Sequence, residues 1–171
     1  ALATSLTTYK GGTMSRLITL HSIVLSLFAC NAIAQTHCIP PEITFFSCTI
    51  AGKQKIASLC GTAFKLPGES NFSDESWLQY RFGRLGAIEF RYPNSKHDSI
   101  SKFTGETHRS IEGSDHALWF SNKGTNYSIN YSAYYVGLWA AGKKLPCSGN
   151  VILQSDRNST DFTELVLNLS P

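Results

Sequence analysis

The sequence predicts a mainly β protein, a single antiparallel sandwich or small barrel with two disulfides. Three observations carry this expectation. Short segments alternate apolar and polar residues with a period of two, and Gly-, Asn- and Ser-rich stretches separate them. No long segment shows a 3.6-residue period. Four cysteines fall in the part of the chain expected to fold, an even set that suits disulfide pairing in an oxidising compartment.

The chain has 171 residues, of which 42% are apolar and 12% aromatic, enough for the core of one domain. Residues 1–13 read as upstream sequence. Residues 14–34 read as a signal peptide: Arg16 follows Met14, an apolar stretch runs from Leu17 to Ala29, and Ala32-Ile33-Ala34 forms a small-x-small cleavage site. The apolar stretch falls short of the roughly 20 residues that a bilayer span requires. Within it, Leu27-Phe28-Ala29-Cys30 resembles the lipobox of bacterial lipoproteins, with bulky Phe28 where a small residue is preferred. Processing there would instead make Cys30 a lipidated N-terminus. Residues 35–171 are expected to form the single β-rich domain, periplasmic or secreted, or an outer-membrane lipoprotein if Cys30 is modified.

The charge balance argues against nucleic acid as a partner. The chain carries 15 Lys and Arg against 12 Asp and Glu, and Lys10 and Arg16 lie in the segment expected to be removed, leaving 13 against 12. A nearly neutral domain lacks the basic footprint that displaces counterions from phosphates.

Taken in order, the first strand signal is "EITFFSCTI", whose even positions Phe46, Cys48 and Ile50 share a face. A turn at 51–54 leads into "KIASLC". With Gly52-Lys53 as a two-residue turn, Cys48 faces Ala57 and Cys60 faces Phe45, so each cysteine is expected to bond outside the hairpin, to Cys38 or Cys147. Zinc is disfavoured, because spacings of 10, 12 and 87 lack a C-x-x-C pair.

"WLQYRF" and "AIEFRY" predict the next hairpin, with Leu78, Tyr80, Phe82, Ile88, Phe90 and Tyr92 on an oily face. Pairing Tyr80 with Phe90 and Arg81 with Glu89 gives an aromatic pair and an ion pair around a loop at 83–87. Arg81, Glu89 and Arg91 then form a charged row on the exposed face, a candidate binding surface that equally suits a merely soluble sheet. Further strands are expected in "HALWFS", in "NYSINYSAYYVGLWAAG" with its odd positions Tyr127 to Trp139 on the core face and a bend at Gly137, and in "VILQS". "DFTELVLNL" reads as strand or short helix.

Segments 65–76 and 93–115 break the alternation and read as surface loops, the second with room for a strand around 101–107. The second loop and its border hold His97, His108 and His116, candidate binding residues. Ser114, Asp115 and His116 supply the residue types of a hydrolytic triad, but no G-x-S-x-G elbow surrounds a serine and adjacent strand residues point to opposite faces. No cofactor, phosphate-loop or metal motif occurs, and the sequons at Asn71, Asn126, Asn130, Asn158 and Asn168 read as compositional.

"FSCTIAGKQKIASLC", "LQYRFGRLGAIEF", "WFSNKGTNYSINYSAY" and "KKLPCSGN", in this order, resemble a group of uncharacterised exported proteins of Gram-negative bacteria. The resemblance implies a periplasmic or secreted β protein and no particular activity. Phe46-Cys48, Trp139 and Cys147 are also similar to landmarks of the small exported β-barrels that inhibit C-type lysozymes. The inhibitory Ser-Gly-Ala-Arg-Tyr-like segment of that group is missing, "GSDHALWF" being nearest in position. The expectation is therefore a non-enzymatic binding or interaction domain for an unknown protein or small molecule, with a lysozyme-like hydrolase inhibitor as the alternative and a degenerate hydrolase third.

Overall fold

The fold is described from a computed structural model for residues 35–62, 72–154 and 161–171. Cys30, the signal segment and most of the 65–76 stretch lie outside the described residues. Nine strands form one open antiparallel sheet: β1 (Ile43–Ile50), β2 (Ile56–Thr62), β3 (Trp77–Arg84), β4 (Ala87–Tyr92), β5 (Thr104–Ser110), β6 (Gly113–Asn122), β7 (Thr125–Tyr131), β8 (Val136–Ala140) and β9 (Lys143–Ile152). A 3-10 turn, Ile100–Lys102, precedes β5, and helix α1, Phe162–Asn168, ends the chain.

The strand order is β4-β3-β2-β1-β9-β8-β7-β6-β5. Two meanders therefore meet where β9 pairs with β1, and β4 and β5 are left as the edges. The sheet curls until its halves face one another. Ring centroids of Phe90 and Tyr127 lie 5.3 Å apart, those of Tyr92 and Phe120 4.8 Å, and those of Tyr80 and Phe120 5.1 Å. This aromatic layer, with Leu118, Ile129 and Leu138 buried beside it, forms the core that the alternation predicted.

Both disulfides staple across the fold: Cys38 to Cys60 and Cys48 to Cys147. Cys48 lies opposite Ala57, as expected, whereas Cys60 lies opposite Thr44 because a bulge at Phe45 shifts the register by one.

The β3–β4 hairpin exists, but its register differs from the expectation. Tyr80 pairs with Tyr92, Phe82 with Phe90, and Arg81 with Arg91 rather than with Glu89. The connection is the tight pair Leu85-Gly86, with Gly86 at φ +76°, and Glu89 bulges out of the ladder. Gly83 takes the inside of that bulge, where an added Cβ would stand 2.2 Å from the Ala87 carbonyl oxygen. Aromatic matching thus governs the pairing, and the charges find partners elsewhere.

A second difference concerns residues 127–139, which form two strands rather than one. Ser132 turns the chain: its N–H donates to the Tyr135 carbonyl at 3.1 Å and its Oγ accepts from the Tyr134 and Tyr135 N–H groups. Parity reverses across the turn, so Tyr127 and Ile129 face the core while Trp139 faces out, over a third exposed. The 93–115 stretch likewise holds β5, close to the expected position, and the C-terminal segment is a helix. Asp161 caps α1 by accepting from Glu164 N–H at 2.9 Å, and Phe162, Leu165 and Val166 bury fully.

Candidate functional site

The expected charged row on β3 and β4 does not form one exposed surface. Arg81 is only 4% exposed. Segment 35–42, held by the Cys38–Cys60 bond, lies over the outer face of β2 and β3, and Arg81 makes a two-point contact with Glu42, at 2.5 and 2.9 Å. Two further donors reach the His37 carbonyl and the Gln79 side chain, each at 2.9 Å. Burial alone would raise the Glu42 carboxyl, but Arg81, the Ile39 N–H and Lys96 outweigh it and hold the group at about 2. Arg81 is thus a clasp for the N-terminal segment. Glu89 is exposed and bonded to Lys55 at 2.5 Å, Arg91 is exposed, and His97 pairs with Asp98 at 2.6 Å in solvent.

His108 and His116 belong to a different construction. β5 and β6 stay paired to the end of their hairpin: His116 faces Thr107, Asp115 faces His108, Ser114 faces Arg109, and Gly113 faces Ser110. Ile111 and Glu112 form the two-residue tip, fixed by Glu112 N–H donating to Ser110 Oγ at 3.2 Å. Every residue from 108 to 115 is exposed. Strand side chains alternate between faces, so exposure on both faces means that this end of the hairpin projects beyond the sheet.

The arm is anchored at its root. Thr107 Oγ1 and His116 Nδ1 hydrogen-bond at 3.2 Å on the buried side, and burial pushes His116 below its ordinary value. Behind β5, Gly105 N–H donates to the Leu169 carbonyl at 2.9 Å. Beside the tip, Tyr134 donates from its hydroxyl to Glu112 at 3.1 Å. Ile111 is wholly exposed and Tyr134 75% exposed, so the arm ends in apolar surface bordered by the polar His108 and the charged Arg109, Glu112 and Asp115.

A groove of about 790 Å³ runs along the root, with Glu106, Arg109 and Trp119 on one wall and Leu167 and Pro171 on the other. Trp119 Nε1 donates to Glu106 at 2.8 Å.

Compared with protein-family models, characterised proteins and solved structures, the chain matches none.

Ser114, Asp115 and His116 succeed one another along a strand, and His116 bonds to Thr107 rather than to either neighbour. Among the described residues, no three His, Cys, Asp or Glu side chains gather as metal ligands. His108 and His116 therefore share one hairpin, His116 at its root and His108 on its projecting part, while His97, Arg81, Glu89 and Arg91 lie elsewhere. Ile111 and Tyr134 were not singled out by sequence reasoning. The signal available for Ile111 was a lone β-branched apolar residue inside the polar tip "SIEGSD".

Proposed function

We propose that this protein is exported to the periplasm or secreted, and acts there as a non-enzymatic binding domain that presents the β5–β6 arm to a protein partner. The carrying observation is that arm: residues 108–115 are exposed on both faces while the backbone ladder holds to the tip. A paired arm loses little conformational freedom on docking, and an apolar tip gains from burial against a partner. The two disulfides support an oxidising compartment outside the cytoplasm. Among the described residues no helix is long and apolar enough to cross a membrane. Export by way of the Ala32-Ile33-Ala34 site, or anchoring through Cys30, is part of the same reading.

The test compares the mature protein with its Ile111→Asp variant as bait in periplasmic extract. The reading expects a discrete partner that binds the parent and is lost with the variant, while both melt at the same temperature. A partner retained equally by the variant would refute it.

One observation favours inhibition of a lysozyme-like hydrolase as a second reading: a convex, charged hairpin suits insertion into a cleft, and "GSDHALWF" begins at Gly113 of the arm. A C-type lysozyme assay decides it. Undiminished activity under a large molar excess of the protein removes this reading and leaves the first.

A further inference from the structure

Between β3 and β4 on one half of the curled sheet and β7, β8 and β9 on the other lies a cleft of about 340 Å³. Phe82 and Phe90 line it from one half, and Ala140 and Leu145 from the other. Tyr80 and Tyr127 line it as well, and neither hydroxyl has a hydrogen-bond partner among the described residues. Tyr80 is only 4% exposed.

That hydroxyl requires an explanation. A buried phenol without a protein partner is uncommon in native structures, and its bonding is left to whatever occupies the cleft. Burial, helped by the nearby Tyr127, also pushes the Tyr80 hydroxyl far above its ordinary range, so it stays protonated and can donate. The border of the cleft carries Glu89, whose carboxylate Lys55 already engages at 2.5 Å. An anionic guest would meet that carboxylate and find the lysine occupied.

We propose that this cleft binds a small, neutral, ring-containing molecule with one accepting oxygen, a carbonyl or ether, which receives a hydrogen bond from Tyr80. Its apolar body stacks on Phe82, Phe90 and Tyr127. The volume lies at the lower end of small-molecule sites, which run from about 300 to 1,000 Å³. This site is separate in place and chemistry from the β5–β6 arm, so its fate and that of the arm are tested independently.

Benzophenone serves as the probe, being neutral and aromatic, with a single carbonyl and light-driven insertion into adjacent C–H bonds. The proposal expects saturable labelling of the intact mature protein, mapped by mass spectrometry to the β3, β4, β7, β8 or β9 peptides. Tyr80→Phe should weaken half-saturation about fivefold, the worth of one ordinary hydrogen bond, without lowering the melting temperature. Ala140→Leu, which adds side chain inside the cleft, should abolish the labelling while the chain still folds. Labelling that never saturates, or that scatters over surface peptides, overturns the proposal. Saturable labelling at the cleft that Tyr80→Phe leaves unchanged overturns it equally, because the hydroxyl would then recognise nothing.

Discussion

Glu42 and Arg81 show how a single pair of side chains decides the role of a strand face. An exposed arginine would tune solubility; a buried one with all three of its nitrogens bonded within the protein is structural. Removing one partner of such a pair leaves the other charge buried and unpaired, at a cost of about 3–5 kcal/mol. The pH behaviour follows from the Glu42 carboxyl, held at about 2 against an ordinary 4.5. A group depressed in the folded state contributes stability that is fully present above its unfolded value and is lost as pH falls through the folded one. The contribution, on the order of 3 kcal/mol, should therefore fade between about pH 4.5 and 2. Denaturant melts of Glu42→Gln should show a large loss at pH 7 and a flatter acid limb than the parent. An acid limb identical to the parent's would remove Glu42 from the account.

Among the elements, α1 depends on Gly105. A Cβ there would stand 1.9 Å from the Val166 carbonyl oxygen, so the helix must move to admit a methyl group. Gly105→Ala should lower stability by about 1–3 kcal/mol, the range for overpacking, read from thermal melts. Strands and turns were readable because alternation and turn chemistry are local: β1 to β4, β6 and β7 fall where the pattern placed them. What was not readable is non-local. The aromatic matching of Tyr80 to Tyr92 depends on the Glu89 bulge, which alternation cannot express. The burial of Arg81 depends on the Cys38–Cys60 bond drawing residues 35–42 over the sheet, a pairing that spacing left open. The outward face of Trp139 turns on Ser132, whose capping of the β7–β8 turn was hidden within an apparently continuous strand. For the arm, the strand near 101–107 and His108 were visible, but projection was not, because it depends on where the rest of the sheet ends.

For the molecule as a whole, the two staples close loops of different reach, with sequence separations of 22 and 99 residues. Each should contribute about 2–4 kcal/mol by restricting the unfolded chain, a large share of the 5–15 kcal/mol typical of a domain. Mature protein denatured without reductant should show no free thiol, and four free thiols would contradict the stapled architecture. On that stapled sheet the arm is held at its own root, by Thr107 with His116 and by Gly105 with Leu169, and beside its tip by Tyr134; recognition through the arm is the central claim. It is tested most directly by placing the photo-cross-linking residue p-benzoylphenylalanine at Ile111, or at exposed Leu85 on the β3–β4 turn, and irradiating Gram-negative cells that export the protein. The account predicts a discrete protein adduct from position 111 and none from position 85. Equal adducts from both positions, or none from position 111, would contradict it.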